Sequence, residues 1–229
     1  MEIRLDSLID GARRAEGTVI VVDVFRAFTT AAVAFTQGVE KIIMVANVED
    51  AIDLRRQGLG DLCVGEVRGI RPENFDLGNS PFELAHADVE GSTLIQSTRA
   101  GTVGVTASLK ADHIYACALV TARATAQVVL HSQPSLTTIV AMGADGTERT
   151  DEDELCALYV RNLLQERTVD HDALRALVFA GKHSQKFDDP TLTQYHAEDR
   201  RIALQIDSIS FAIRVHCEDG LLVARPEIV

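Results

Sequence analysis

The 229-residue sequence has no excess of basic residues. Its 22 Lys and Arg stand against 34 Asp and Glu, a formal net charge of −12. General nucleic-acid binding needs cations to neutralise phosphates, so the chain is a poor candidate for that class. An anionic membrane surface would repel the chain. No run approaches the roughly 20 apolar residues of a membrane-spanning helix. The four cysteines, Cys63, Cys117, Cys156 and Cys217, form no Cys-x-x-Cys pair, and no His-x-x-x-His pair occurs. Zinc therefore has no recognisable signature. Each cysteine lies among apolar neighbours and reads as a small core residue. The stretch from Met1 to Arg14 carries charges throughout, unlike a signal peptide. With no Asn-x-Ser/Thr sequon either, a reducing cytoplasm is expected. No Gly/Ser/Pro-rich linker or low-complexity segment divides the chain, so one domain over residues 1–229 is expected.

What is present suits an ordinary globular core: 46% of residues are hydrophobic and 24% charged. Thr18–Phe25 reads as a buried strand rich in Val and Ile, followed by an Ala-rich helix over Arg26–Thr36. Lys41–Ala46 and Asp61–Glu66 read as further strands around a helix at Val48–Gln57, whose first turn carries Glu49 and Asp50. The stretch from Gly65 to Pro81 has neither helical nor strand period. Long polar loops in compact domains usually have a use. After a short helix at Pro81–Ala87 and a strand at Ser92–Gln96, Ser97–Gly104 is a turn leading to another helix. His113–Ala118, Leu119–His131, Leu136–Ala141 and Thr150–Gln165 repeat the strand–helix order of the first half. The offset is about 95 residues, which suggests an internal structural duplication. Helices at His171–Ala180 and His196–Asp207 flank the polar stretch Gly181–Thr193, and a last strand lies around Ser210–His216. The alternation predicts an α/β fold with a largely parallel sheet.

Chemistry concentrates at strand ends. Asp23 lies near the carboxyl end of the first strand, where ligands bind in open α/β sheets. Arg26, Thr29 and Thr30 follow at helical spacing, so one face carries a guanidinium and two hydroxyls near a helix start. A carboxylate for a metal beside an arginine for a phosphate suits a phosphoester. The competing reading is that Asp23 caps the helix and Arg26 pairs with a nearby acid. Glu66 also ends a strand, with Asp76, Asn79 and Ser80 further along. Such hard oxygen ligands suit Mg²⁺. Ser80-Pro81-Phe82-Glu83 matches a capping box, which competes for Ser80. Ser97-Thr98-Arg99-Ala100-Gly101-Thr102 has the layout of an anion-binding loop, without the Gly-Lys-Ser/Thr of a Walker loop. Asp145 follows a strand and is a further candidate metal ligand. The acids Asp151 to Glu154 read as a solvated helix start. Cys117 and Arg123 have Cys-x5-Arg spacing, but the apolar residues between them cannot form the cradle a cysteine phosphatase needs. His183 and His196 are candidate proton donors.

Two strings carry a family resemblance. Asp-Val-Phe-Arg-Ala-Phe-Thr-Thr at Asp23–Thr30 resembles the Asp-Val-Leu-Arg-Ala-Thr-Thr-Thr motif of the 2-phosphosulfolactate phosphatase family. Gly65-Glu66-Val67-Arg68-Gly69, followed by Phe75-Asp76-Leu77-Gly78-Asn79-Ser80-Pro81, is similar to that family's second signature. The resemblance covers nearly the whole chain. It implies a Mg²⁺-dependent phosphatase that converts 2-phosphosulfolactate to sulfolactate on the route to coenzyme M. It also implies a three-layer α/β/α fold with a mixed sheet. The third family motif reads Thr-Thr-Asn-Gly-Thr, where this chain has Ser97 to Thr102, losing an amide and gaining Arg99.

The expected mechanism is metal-assisted hydrolysis of a phosphomonoester. Asp23, Glu66 and Asp76 would hold Mg²⁺ directly or through water, with Asp145 assisting. Arg26, Thr29, Thr30 and the turn from Ser97 through Thr98, Arg99 and Gly101 to Thr102 would bind the phosphate. Asn79 and Ser80 join the substrate-binding set. Arg68, Arg71 or Arg99 would hold a carboxylate or sulfonate. Water is the expected nucleophile, and a phospho-aspartate at Asp23 the less favoured one. The expected partner is a small phosphorylated organic acid, with no nucleic acid and no membrane. The oligomeric state is left open, a homodimer included. The alternatives are a phosphatase of a different phosphorylated acid and a non-catalytic protein binding an anionic metabolite.

Overall fold

A computed structural model describes residues 1–229. The chain opens with β1 (Glu2–Ser7) and α1 (Leu8–Arg14), neither of which was expected from the sequence. The alternation foreseen for the first half follows: β2 (Gly17–Val22), α2 (Ala27–Thr36), β3 (Lys41–Val45), α3 (Val48–Arg56) and β4 (Leu62–Gly65). After the long loop come α4 (Pro81–Leu84), β5 (Thr93–Ser97), α5 (Gly101–Ala107) and β6 (Ala111–Cys117). A 3-10 turn at Leu119–Thr121 leads into α6 (Ala122–Ser132), β7 (Leu136–Ala141) and α7 (Asp151–Leu164). The chain then forms α8 (His171–Ala180), a 3-10 segment over Lys182–Asp188, α9 (Ala197–Ala203), β8 (Phe211–Glu218) and β9 (Leu221–Ile228).

The nine strands form one mixed sheet in the order β1-β7-β2-β6-β8-β9-β3-β5-β4. Two parallel blocks, β1-β7-β2-β6 and β3-β5-β4, are joined by the antiparallel hairpin β8–β9. The joints are short, with three residue pairs between β6 and β8 and two between β3 and β9. β9 escaped the sequence reading because it carries Pro226 and little alternation. A proline is tolerated there because β3 pairs only with Val223 and Ala224, which leaves the rest of that edge open.

Strand alternation sorts the side chains into layers. Val19 and Val21 of β2 join one core with Ala27, Phe28 and Ala31 of α2, whereas Ile20 and Val22 join Cys156 and Val160 of α7 on the opposite face. In β3, Ile42 and Met44 face the first core, and Ile43 and Val45 meet Ala51 of α3. Helices therefore cover both faces, giving three layers, and a one-residue slip of β2 would exchange its two core sets. Each fully buried aliphatic or Phe side chain contributes about 1.5–3 kcal/mol, so this sorting outweighs local propensity. In α2 every residue from Ala27 to Phe35 is buried, which explains its run of small side chains.

One expectation needs correction, and another is not confirmed. Cys63, Cys117 and Cys156 are buried, but Cys217 is exposed, because it lies where β8 extends towards its hairpin turn beyond its pairing with β6. The strand order does not confirm a duplication: β6 pairs directly with β2, its supposed copy, and β2 and β3 are far apart in the sheet. No helix is long and apolar enough to cross a membrane.

Candidate functional site

Both parallel blocks present their carboxyl ends to one cavity of about 330 Å³. Asp23 arrives from the end of β2, Glu66 from β4, Arg99 and Ala100 from β5, and Gly143 to Asp145 from β7. The long loop adds Arg68, Gly69 and Asn79, and the C-terminal third adds His183, Lys186 and Tyr195. Close approach of the β4 and β5 ends depends on Gly65. Its φ is +151°, and a Cβ there would lie 1.8 Å from the Ser97 carbonyl oxygen. Gly101 does the same for Asp23: a Cβ would lie 2.8 Å from Asp23 Oδ2 and 2.7 Å from Ala27 Cβ.

The cavity acids are held by backbone donors. Asp23 Oδ1 accepts the Ala27 N–H at 3.0 Å, so it does cap α2. Glu66 accepts from Gly69 N at 2.6 Å and from Arg99 N at 2.8 Å, pinning the long loop to the turn after β5. Behind Asp23, the buried Asp153 accepts from Val24 N at 2.7 Å and Gly143 N at 2.8 Å, tying the ends of β2 and β7 together. Arg26 is 2% exposed and pairs with the fully buried Asp199 at 2.6 Å. Its Nη1 also donates to the Gln194 carbonyl, and its guanidinium lies 4.8 Å from the Tyr195 ring centre. Both halves of the competing reading, the cap and the ion pair, are thus present at residues that line the cavity.

Burial pushes the Asp23 carboxyl up to about 7; the Ala27 N–H opposes the shift, and the negative charges of Glu66 and Glu152 add to it. Asp153 is raised well above the usual carboxylate range by burial and then by Asp23 and Glu152. Burial lowers the Lys186 ammonium, an effect countered first by Glu152. Asp23 and the buried acids Glu152 and Asp153 behind it are desolvated together, and each disfavours its neighbours' negative charge.

Of the residues singled out in the sequence, Asp23, Arg26, Glu66, Arg68, Asn79, Arg99, Asp145 and His183 line the cavity together. The others are placed elsewhere. Asp76, expected to hold a metal, is exposed and accepts from Cys63 N at 2.7 Å and Arg55 Nη1 at 2.5 Å. It fastens the long loop to β4. Arg71 donates to the Asp76 carbonyl. Thr29 donates to the Val24 carbonyl, and Thr30 is buried with its hydroxyl unpartnered; neither lines the cavity. Ser80 accepts from Glu83 N and donates to Asp199, as a cap, while Glu83 reaches Gly78 N instead of completing the box. Ser97, Thr98, Gly101 and Thr102 are buried behind the wall, and the Thr98 and Thr102 side chains serve each other's backbone. His196 caps α9 and stacks on Phe82 at 4.1 Å, leaving only His183 in the cavity.

Lys186, Tyr195, Asp153 and Asp199 escaped the sequence reading. The only signal for the first was the long polar stretch Gly181–Thr193 without a period, which contains it. Asp153 was read as part of a solvated acid run, yet it is 2% exposed.

The wall offers a fit to a hard cation. Asn79 Oδ1 is a buried oxygen with no hydrogen-bond donor, in the same cavity as Asp23 and Glu66. No three His, Cys, Asp or Glu side chains converge closely enough to hold an ion by themselves. Mg²⁺ commonly takes one or two carboxylates and keeps several waters, so two acids and an amide oxygen match its demands.

Fold and cavity define an α/β protein with a two-signed polar site at its strand ends. The family model described as 2-phosphosulpholactate phosphatase matches residues 5–214, and the chain belongs to that family. A Bacillus subtilis (strain 168) protein named a probable 2-phosphosulfolactate phosphatase is 33% identical over 152 residues, 66% of this chain and 65% of that protein. A protein of the same name from Carboxydothermus hydrogenoformans is 35% identical over 149 residues, 65% of this chain and 61% of its own length. One from Thermus thermophilus is 33% identical over 168 residues, 72% of this chain and 68% of its own. The chain thus spans slightly less than two thirds of the first two relatives.

Proposed function

We propose that the protein is a phosphatase of a small, multiply anionic phosphomonoester, with 2-phosphosulfolactate the leading substrate and Mg²⁺ the cofactor. The observation that carries this reading is the charge pattern of the cavity. In a chain of net charge −12, Arg26, Arg68, Arg99 and Lys186 meet around Asp23 and Glu66. Family membership and the relatives' names support the same reaction.

Asp23, Glu66 and the Asn79 carbonyl would hold Mg²⁺, with Asp145 at the exposed rim. Bound there, the ion supplies Lewis-acid polarisation of a phosphoryl oxygen and a more acidic water. Arg68 and Arg99 are exposed on the wall and orient the carboxylate and sulfonate, for which a planar fork is suited. Arg26 spends Nη1 on Asp199 and Gln194, leaving Nε and Nη2 without a protein acceptor and available to the phosphoryl group. Water attacks phosphorus as the ester oxygen leaves, and the water's proton ends on the released alcohol. Asp23 is a poor nucleophile here: it is 5% exposed, and Oδ1 is spent on the α2 cap. A cytoplasmic location and a place on the route to coenzyme M belong to the same proposal.

Arg99 and Ala100 on the wall favour a second reading, because both fall where the third motif departs from the family. A phosphorylated acid bearing a different second anion would suit that change. Phosphate release should be assayed from phosphorylated hydroxy acids with and without a sulfonate, in Mg²⁺ and in chelator. The expected result is Mg²⁺-dependent release that is greatest with the sulfonate. Saturable binding with no release at any Mg²⁺ concentration would replace the enzyme by an anion-binding protein.

A further inference from the structure

Lys186 is held in the cavity by three aromatic side chains, its neighbour Phe187, Tyr195 nine residues on, and the distant Phe25. Phe187, 4% exposed, meets Phe25 edge-on at 5.0 Å and Tyr195 edge-on at 5.7 Å. These contacts dock the Lys182–Asp188 segment on the turn after β2, two residues beyond Asp23. The Lys186 ammonium lies 4.7 Å from the Tyr195 ring centre, 5.4 Å from Phe187 and 6.0 Å from Phe25. All three distances are within the reach of a cation–π interaction. No carboxylate comes within ion-pair distance of it, whereas Arg26 is paired with Asp199 and Lys182 with Glu148. The acids acting on it, Glu152, Asp23 and Asp153, act through space. Lys186 is half-buried, and its ammonium has three donors with no protein acceptor, so it is open to an oxygen of a ligand in the cavity. The aromatic faces stabilise the charge without accepting a hydrogen bond from it.

We propose that Lys186 grips a phosphoryl oxygen of the substrate, and of the phosphate product, inside this cavity; the assignment rests on the phosphatase reading. A compact point charge suits a tetrahedral phosphoryl group, leaving the planar forks of Arg68 and Arg99 to the other anions. The aromatic rings restrict where the ammonium can move, so it meets the phosphate on the side of the cavity facing Asp23.

The test is calorimetric titration of inorganic phosphate, with Mg²⁺ present, into the full chain and its Lys186→Met, Lys186→Arg and Lys182→Met variants. Loss of one charge-assisted contact should weaken phosphate binding at least about tenfold in Lys186→Met. Lys186→Arg should recover part of that loss, and Lys182→Met should bind like the parent. Phosphate should also protect Lys186, and not Lys182, from reductive methylation read by mass spectrometry, a measurement that needs no variant to fold. Phosphate binding by the parent that survives in a folded Lys186→Met variant, or no protection of Lys186, overturns this assignment alone. A parent protein that neither binds phosphate nor releases it from any phosphomonoester overturns the phosphatase reading as well.

Discussion

Asp23 combines a structural and a chemical task at one carboxylate. One oxygen caps α2, and the other lies against Gly101. The acid form is favoured in the folded chain between the ordinary value of 3.8 and about 7. Its contribution to stability is therefore fully present below 3.8 and is lost as pH rises through about 7. Asparagine keeps an acceptor for the Ala27 N–H and removes the charge. In chelator, Asp23→Asn should melt several degrees above the parent at pH 8, with the gap closing towards pH 4; calorimetry at both values checks it. The same variant should lose at least about a hundredfold in phosphate release. Near-parental turnover would remove Asp23 from the mechanism.

At the scale of elements, the site depends on how closely strand ends approach. A methyl group on Gly65 meets the Ser97 carbonyl oxygen at 1.8 Å in a backbone region that L side chains rarely adopt. Gly65→Ala should destabilise the chain by about 3 kcal/mol or more in urea unfolding. An unchanged midpoint would contradict the placing of β4 against β5. Gly101→Ala tests the site more selectively. At the first residue of α5 an added methyl group presses on Asp23 and Ala27. Phosphate release should fall by a larger factor than the folding constant does. Equal losses would mean that Asp23 had not been displaced and that the effect was global.

At the scale of the molecule, the C-terminal third completes a site begun at residue 23. Asp199 of α9 is the junction: it accepts from Arg26 Nη1, Ser80 Oγ and Phe82 N. Asp199→Ala strands a buried guanidinium and should cost about 3–5 kcal/mol, measured by urea unfolding. Ser80→Ala removes a cap and one donor to that acid and should cost about 1–2 kcal/mol. If the two losses prove equal, the Arg26–Asp199 pair is not the dominant tie.

The strands from β2 to β7 and the helices between them were legible because their causes are local. Val and Ile runs, the Ser80 cap and glycine stops act within a few residues. Asp23 and Glu66 were legible for the same reason, since a strand end is a local address. β1 and β9 were not, because their pattern makes sense only beside β7 and β8. Thr29 and Thr30 show why spacing alone misleads: α2 is buried on all sides, so a helical face that could have met a phosphate meets core instead. Asp76 was consumed by Arg55, and Asp153 was drawn from an acid run into the interior by two backbone donors. Arg26 finds its acid 173 residues away, and Ser80 finds the same one 119 residues away. Amino-acid order by itself determined the layered α/β architecture and pointed to the cavity's three acids, Asp23, Glu66 and Asp145. Only tertiary packing decided which polar groups stay free, because a side chain's availability depends on partners that chain folding brings from elsewhere.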